Sequence, residues 1–343
     1  MAQNSSDHKN CHGSTTVQFG LPVMSAVMFA AGAAGNIIAL VLLEVRRRRR
    51  SPCLFQVLVT ALLMTDLLGT VAVTPVVLSS YASNRTLLGM SGRREMCDYF
   101  ASSMTFLSLS TLAILCAMAL ERYLSIGHPY FYERHLSKRC GYIAIALIYL
   151  SSVLFCVAPF MGFGDYVQYC PGTWCFLDMS PKEEKHKVYT GLYASFMLIM
   201  ILGTVLCNVS VIYCLVRMHR RRKMRRTGVS GHSGIHRGSL SMTQEVEHLL
   251  LLVFITVAFS CCSLPLVMRV YINFTGRRKE KHIADLNALR MLSFNSIIDP
   301  WVFIILSPSV LRIIWRKLCR TQRGKTLAAQ SKPIAGGPSE PGK

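Results

Sequence analysis

Seven long apolar stretches dominate the sequence, and each is long enough to cross a lipid bilayer as a helix. A transmembrane helix needs about 20 residues, and it satisfies its own backbone hydrogen bonds where no water is available. Hydrophobic residues make up 52% of the chain and charged residues only 16%. We therefore predict an all-α membrane protein, a seven-transmembrane-helix bundle, with spans near residues 17–43, 53–80, 98–121, 140–161, 188–216, 247–272 and 284–306.

Positive charge is concentrated on one side of these spans. The net charge is +21, and 25 of the 38 Lys and Arg residues share a side with the C-terminus, against 11 on the other side and two inside spans. The positive-inside rule then places the N-terminus outside and the C-terminus in the cytoplasm. Because juxtamembrane basic clusters face anionic lipid, we expect no nucleic-acid partner.

The predicted spans divide the chain into four parts. Residues 1–16 are polar and form an extracellular segment, and the apolar stretch that follows is too long for a cleaved signal peptide. Residues 17–306 form the transmembrane domain. Residues 307–320 are basic and amphipathic, which predicts a short cytoplasmic helix, and residues 321–343 form a disordered tail.

Four of the 13 cysteines are expected to face the oxidising side: Cys11, Cys97, Cys170 and Cys175. Four cysteines allow three pairings. A bond between Cys97, at the start of the third span, and Cys175, in the loop after the fourth, would hold that loop across the mouth of the bundle. Cys11 and Cys170 are then the remaining pair.

Three glycosylation sequons fall on the predicted outer side, at Asn4, Asn84 and Asn273. A fourth, at Asn208, lies inside the fifth span and should stay unmodified. Cys319 follows the seventh span in a basic amphipathic stretch, which makes it a candidate for palmitoylation, with a free thiol as the alternative.

The seventh span contains two charged residues, Arg290 and Asp299. Nine residues separate them, or about 13.5 Å along a helix, and at about 100° per residue they point to opposite sides. Pro300 can bend the helix locally but cannot close that gap. Arg290 and Asp299 therefore need separate partners.

Asp299 lies deep in its span, as does Asp66 in the second span, and Asn36 in the first span can reach the same layer. Two carboxylates in one apolar core need a shared cation or a proton. Sodium is one candidate cation. The alternative is a water-filled polar cluster without an ion.

Arg290 lies in the outer half of its span and cannot lose its proton. Without a protein carboxylate to face, its guanidinium would bind an anionic ligand. Two structural alternatives remain at this point: a salt bridge to an acidic residue of an outer loop, or extension of the side chain to water.

An ordered set of motifs extends across the spans. The chain has Glu121-Arg122-Tyr123 about 37 Å of helix after Cys97, Pro265 in the sixth span and Asp299-Pro300 in the seventh. With Asn36 and Asp66, this order resembles the rhodopsin-like G-protein-coupled receptors over nearly the whole chain. The chain departs from that pattern at Ser263, where a Trp is usual, at Asp299, where Asn is usual, and at Phe303, where Tyr is usual.

Three stretches narrow the resemblance to the prostanoid receptors. They are "QYCPGTWCF" at 168–176, "ALERYLSIGHPYFYERH" at 119–135 and "NSIIDPWVF" at 295–303. The resemblance implies a plasma-membrane receptor for an oxygenated fatty acid, with prostaglandin E2 favoured and prostaglandin D2 as the alternative. It also implies coupling to the stimulatory G protein, a rise in cyclic AMP, and arrestin and receptor kinases as further partners.

The resemblance also assigns roles to residues. Arg290 would take the ligand carboxylate, Thr173 and Tyr81 would hydrogen-bond to it, and Ser25 would line the pocket. The switch and the G-protein contact would use the following residues of this chain: Glu121, Arg122, Tyr123, Asp66, Pro265, Asp299 and Pro300. Arg269 has no counterpart in this scheme, and it either attracts an acidic ligand or extends to water.

Other functions fit the sequence less well. A proton pump or retinal photoreceptor needs a Schiff-base lysine in the seventh span, and residues 284–306 contain none. A transporter would show an internal repeat or broken helices. The chain has no HExxH, Gly-rich phosphate loop or GxSxG motif, so we expect neither an enzyme nor a cofactor.

Overall fold

The computed structural model describes residues 13–17, 22–49, 53–226, 235–274 and 282–306. Within these ranges it has seven helices that are long and apolar enough to span a membrane, which confirms the predicted bundle. The spans are Val23–Val45, Leu54–Ser83, Glu95–Gly127, Lys138–Met161, Glu184–Met218, Leu249–Asn273 and Ala284–Ile305. The first begins at Val23 rather than at residue 17, directly after Pro22, because proline suits the first turn of a helix and not its interior.

Nine α-helices are described, of which α3 and α5 are short connectors. They are α1 (Val23–Arg49), α2 (Leu54–Ser83), α3 (Leu87–Met90), α4 (Glu95–Gly127), α5 (Pro129–His135), α6 (Lys138–Val157), α7 (Glu184–Arg226), α8 (Ile235–Phe274) and α9 (His282–Ile305). A 3-10 turn, Ala158–Met161, extends α6. Pro75, Pro265 and Pro300 lie inside α2, α8 and α9.

A two-stranded hairpin covers one end of the bundle, and the sequence analysis did not anticipate it. Strand β1 (Tyr166–Tyr169) pairs antiparallel with β2 (Trp174–Leu177), with Tyr166 opposite Leu177. A disulfide joins Cys175 in β2 to Cys97 in the first turn of α4, as the sequence predicted. Cys170 is also disulfide-bonded. Its predicted partner Cys11 lies outside the described residues, so that pairing stays a prediction.

The short segment 13–17 lies against this hairpin. The Ser14 carbonyl accepts hydrogen bonds from Thr86 Oγ1 at 2.6 Å and from Gln168 Nε2 at 3.1 Å. Thr86 N donates to the Thr15 carbonyl at 3.1 Å. The segment, the start of α3 and the hairpin therefore form one layer over the end of the bundle, called the hairpin side below.

Helix α4 is the centre of the bundle and packs against α2, α6 and α7. Helix α6 is peripheral, because only Gly141, Ser152 and Cys156 are buried along it. At the opposite edge, α1 packs on α9, and Trp301 Nε1 donates to the Ala31 carbonyl at 3.3 Å. Residues 307–343, with the predicted amphipathic helix, the tail and Cys319, lie outside the described residues, as does Asn4.

The turn between β1 and β2 depends on Gly172. Its φ of +102° favours glycine, and an added Cβ would lie 2.2 Å from Thr86 Cγ2. Thr86 cannot turn away freely, because its hydroxyl donates to Ser14 and accepts from Gly89 N at 3.2 Å. We expect Gly172→Ala to lower the melting temperature of the purified protein, at a cost of about 1–3 kcal/mol.

Gly162→Ala is the matched control. Gly162 also has a positive φ, of +82°, but nothing lies within 4 Å of an added Cβ there. The melting temperature should therefore fall further in Gly172→Ala than in Gly162→Ala. Equal losses in thermal unfolding would show that backbone strain alone, and not the contact with Thr86, sets the effect.

Candidate functional site

An open cleft enters the bundle among α1, α2, α4, α8, α9 and the hairpin. Its walls are mostly apolar, and its deep end carries hydroxyl, amide and carboxyl groups. The lining residues are Ser25, Met28, Asp66, Gly69, Thr70, Val73, Thr74, Val77, Met104, Leu107, Ser108, Thr111, Trp174, Phe259, Leu292, Ser293, Asn295, Ser296 and Ile297. An apolar cleft with a few converging polar groups is the usual form of a small-molecule site.

The four predicted ligand-binding residues lie on the hairpin side, but they relate to the cleft differently. Ser25 lines it. Thr173 is fully buried, its Oγ1 has no hydrogen-bond partner among the described residues, and its neighbour Trp174 lines the cleft. Tyr81 is half-buried near the end of α2 and packs on the core. Arg290 is not among the lining residues.

Arg290 is half-buried on α9, three residues before Ser293 and seven before Ile297, both of which line the cleft. Residues at these spacings share one helix face, so Arg290 lies one turn from Ser293 towards the hairpin side. Within the described part of the chain, no carboxylate lies within salt-bridge distance of Arg290. The predicted alternative of a salt bridge is thus not seen there.

The nearby cation Arg269 does have a partner, which sequence reasoning missed. Arg269 Nε donates to Asp285 Oδ1 at 2.7 Å across α8 and α9, and both side chains are largely buried. Asp285 lies five residues before Arg290, and its charge is compensated by Arg269. Arg269 is thus neutralised, whereas Arg290 has no carboxylate partner in the part of the chain that the structure describes.

The predicted polar layer forms at the deep end of the cleft. Asp66 Oδ1 accepts from Thr111 Oγ1 at 3.3 Å. Asp66 Oδ2 and both carboxyl oxygens of Asp299 are buried without a hydrogen-bond partner among the described residues. Asn36 Nδ2 donates to the carbonyls of Gly32 and Ser296, each at 3.0 Å, and so links α1 to α9.

Asp66 and Asp299 are both buried in this layer. Two carboxyl groups in one apolar core need a shared cation or a proton, so protonation and a bound cation such as sodium both stay predictions, as does the alternative of a water-filled cluster without an ion. The described residues contain no group of three or more His, Cys, Asp or Glu that could hold a metal ion. Any cation here would depend on the two aspartates together with neutral oxygens.

At Ser263 the chain departs from the pattern of the family it resembles, and in the structure this side chain makes a polar contact. It is fully buried, and its Oγ accepts a hydrogen bond from Asn295 Nδ2 at 3.2 Å. Asn295 lines the cleft, and Pro265 follows Ser263 by two residues on α8. A contact between α8 and α9 therefore links the cleft to the proline of α8.

A second buried network lies at the other end of α4. Arg122 donates to Glu121 through Nε at 2.6 Å and through Nη2 at 2.7 Å, with both side chains buried. Tyr132, on α5, donates its hydroxyl to Glu121 Oε1 at 2.6 Å. The Arg122 guanidinium also lies 4.7 Å from the ring centre of Phe55 on α2.

Tyr132 was missed by sequence reasoning because nothing in a loop sequence indicates which face its short helix will present. Burial, together with the hydrogen bond to Glu121, raises the pKa of Tyr132 above its usual value. The phenol is therefore protonated and able to donate throughout the physiological range. Tyr123, a predicted switch residue, instead contacts His128 Nε2 at 3.3 Å.

The predicted modification sites differ in exposure. Asn84 is exposed at the end of α2 in a left-handed conformation. Asn273 is half-buried, and its Nδ2, the atom that would carry a glycan, is buried. Asn208 is buried and donates to Thr256 Oγ1 at 2.8 Å. Of the described sequons, Asn84 offers the accessible side chain.

Comparison with known proteins agrees with this geometry. The family described as 7 transmembrane receptor (rhodopsin family) matches residues 35–303. The crystal structure of squid rhodopsin superposes with a TM-score of 0.70, covering 88% of this chain and 85% of that one, at 15% identity, which speaks for the fold alone.

Proteins with similar sequences indicate a subgroup within this family. The prostaglandin E2 receptor EP2 subtype of Homo sapiens is 49% identical over 335 residues, which are 93% of this chain and 92% of that protein. The mouse protein of the same name is 49% identical over 324 residues, 90% and 88% of the two chains. The human prostaglandin D2 receptor is 42% identical over 331 residues, 90% and 92%.

The chain therefore belongs to the rhodopsin family of seven-transmembrane receptors, and within it to the prostaglandin receptors. It is a multi-pass membrane receptor and not an enzyme. The class and the family predicted from the motifs are both confirmed.

The Arg269–Asp285 pair can be tested by stability. Arg269→Gln leaves Asp285 buried and unpaired, and breaking a buried ion pair costs about 3–5 kcal/mol. We expect a clear fall in the melting temperature of the ligand-free receptor. The double variant Arg269→Gln/Asp285→Asn leaves neither charge buried and should recover part of the loss.

Arg290→Gln provides the control, since it makes the same chemical change in an arginine that has no carboxylate partner among the residues the structure describes. Its melting temperature should stay closer to that of the unaltered receptor. If the double variant lost as much as the sum of its single variants, the two side chains would be energetically independent.

Proposed function

We propose that the protein is a receptor for prostaglandin E2 that activates the stimulatory G protein and so raises cyclic AMP. The observation that carries the proposal is the Arg290 guanidinium, which lies one turn from an apolar cleft and has no carboxylate partner among the described residues. A prostaglandin has the matching chemistry, a carboxylate at one end of a long apolar body. Relatives named prostaglandin E2 receptor are 49% identical to this chain, against 42% for those named prostaglandin D2 receptor, which favours E2.

In the proposed arrangement the hairpin side is extracellular. The ligand carboxylate pairs with Arg290, and Thr173 and Tyr81 donate hydrogen bonds to the same group. A planar guanidinium can hold a carboxylate through two parallel hydrogen bonds. The unpartnered Oγ1 of Thr173 supports this role, because a buried hydroxyl without a partner is costly unless a ligand satisfies it.

The apolar chains of the ligand then occupy the cleft beside Ser25 and reach towards its polar deep end. A ligand shifts a receptor only if it binds the active arrangement more tightly than the inactive one. The Ser263–Asn295 contact links the cleft to α8, and Pro265 provides a place for that helix to bend. An outward movement of α8 on the Arg122 side would open the cavity that takes the G protein.

The Glu121–Arg122–Tyr132 network fits the closed state of that cavity. With Glu121 holding Arg122 at 2.6 and 2.7 Å, the guanidinium is not available to a G protein. Activation must therefore break this pair. Arrestin and receptor kinases would act on the same side after activation.

The carboxylate contact is tested by Arg290→Ala together with the methyl ester of prostaglandin E2. Charge-assisted hydrogen bonds are worth about 1.5–3 kcal/mol, so radiolabelled prostaglandin E2 should bind the variant about 10- to 150-fold more weakly. In the unaltered receptor the ester should lose a comparable factor, and in Arg290→Ala the acid and the ester should bind alike. Unchanged affinity in the variant would refute the assignment of Arg290.

The switch is tested by Tyr132→Phe, which removes one hydrogen bond to Glu121 and leaves the Glu121–Arg122 pair in place. We expect basal cyclic AMP to rise several-fold in transfected cells at equal surface expression. Tyr130→Phe is the control in the same short helix, because Tyr130 is 89% exposed. A basal signal that is unchanged in Tyr132→Phe, or equally raised in Tyr130→Phe, would contradict a locking role for Tyr132.

A further inference from the structure

A second cleft opens on the outside of the bundle, at the end opposite the hairpin. It lies where the end of α1, the start of α2 and the start of α6 meet. Its lining residues are Leu43, Arg47, Gln56, Val57, Thr60, Ala61, Tyr142 and Ile145. Its end of the bundle is marked by Arg122, whose guanidinium lies over Phe55 in the first turn of α2.

The cleft faces the bilayer and not the interior of the protein. Helix α6, which forms one wall, buries few of its residues against the bundle. Tyr142 is 58% exposed. Helices α2 and α6 approach closely beneath the cleft, since a Cβ added to Gly141 would lie 2.3 Å from Leu54 Cδ1. In a membrane, lipid must therefore fill the space between α1 and α6.

The cleft is polar at one end and apolar at the other, which matches the headgroup and the acyl chains of a phospholipid. Arg47 lies in the last turn of α1, Gln56 in the first turn of α2, and Tyr142 just after the first turn of α6, at the level of lipid headgroups. Leu43 and Ile145, about one turn deeper, are apolar. The outer end of the cleft thus suits a headgroup, and the inner end suits an acyl chain.

The headgroup end carries an excess of positive charge and an unused hydrogen-bond acceptor. Glu44 is shared between two guanidinium groups, at 3.9 Å from Arg47 and 3.3 Å from Arg48, so one carboxylate cannot neutralise both. Gln56 Oε1 is buried without a partner among the described residues. An anion suits Arg47, and a donor group beside that anion suits Gln56.

We propose that this cleft is a binding site for one anionic phospholipid of the cytoplasmic leaflet. The lipid phosphate pairs with Arg47, and an ammonium or hydroxyl of the headgroup donates to Gln56. The acyl chains lie against Leu43, Val57 and Ile145. Phosphatidylserine has the required negative charge and donor. A sterol has no charge for Arg47, and phosphatidylcholine has no headgroup donor for Gln56.

The test compares lipid retention by the full-length receptor purified from mixed micelles of phosphatidylserine and phosphatidylcholine. Native mass spectrometry counts the lipids that stay bound. The unaltered receptor should retain one phosphatidylserine in preference to phosphatidylcholine. Arg47→Gln should reduce that occupancy about 5-fold or more, because it removes the charge that contacts the lipid phosphate in the cleft, and one such contact with an anionic headgroup is worth about 1 kcal/mol.

Arg48→Gln is the matched control, because it removes the same charge from the next residue, which is 80% exposed and does not line the cleft. The phosphatidylserine occupancy of Arg48→Gln should stay within about twofold of the occupancy of the unaltered receptor. Gln56→Leu, which keeps the charge and removes the acceptor, should erode the preference for phosphatidylserine over phosphatidylcholine. It also provides an independent test if Arg47→Gln folds poorly.

Three results would overturn the proposal. Equal losses in Arg47→Gln and Arg48→Gln would indicate diffuse electrostatic attraction without a site. Displacement of phosphatidylserine by cholesterol would indicate a sterol cleft. Retention unaffected by both Arg47→Gln and Gln56→Leu would place the bound lipid elsewhere on the receptor. None of these readouts depends on which prostaglandin the receptor recognises.

Discussion

The absence of water in the bilayer core is the constraint on which this structure depends. A polar side chain that enters a span must find its partner inside the bundle. Asn36 meets the Ser296 carbonyl, Asn208 meets Thr256, and Asn295 meets Ser263. These contacts form between helices, so the need to satisfy polar groups also fixes how the helices face one another.

The two arginines on the hairpin side of the spans, Arg269 and Arg290, differ in whether a carboxylate of the described chain balances their charge. Arg269 is compensated by Asp285 and therefore acts as part of the scaffold. Arg290 has no such partner in the described chain, and its charge is left for something that the protein does not supply. The same contrast separates the aspartates: Asp285 is paired, whereas Asp299 has two buried and unpartnered oxygens. Arg290 and Asp299, which have no partner among the described residues, are residues for which a functional role was predicted. The paired residues Arg269 and Asp285 stabilise the fold.

Sequence reasoning succeeded for features that depend only on the order of residues along the chain. Span length needs no neighbours, so the seven helices were predicted to within several residues. It failed where two distant segments had to be brought together. Asp285 was not recognised as the partner of Arg269, although both were visible, because pairing across α8 and α9 depends on how the helices are rotated. Tyr132 and the hairpin were missed for the same reason. The separation of Arg290 from Asp299 was predictable because both lie on one helix.

Helices α1 and α9 share two hydrogen bonds, from Asn36 to the Ser296 carbonyl and from Trp301 to the Ala31 carbonyl. Both acceptors are backbone carbonyls and both donors are side-chain groups, so each bond joins a side chain of one helix directly to the backbone of the other. The backbone of α9 between Ser296 and Trp301 carries Asp299 and Pro300. If this stretch of α9 moves, either α1 moves with it or the hydrogen bonds between the two helices break. The lipid-facing helix α1 is therefore coupled to conformational changes in the interior of the receptor.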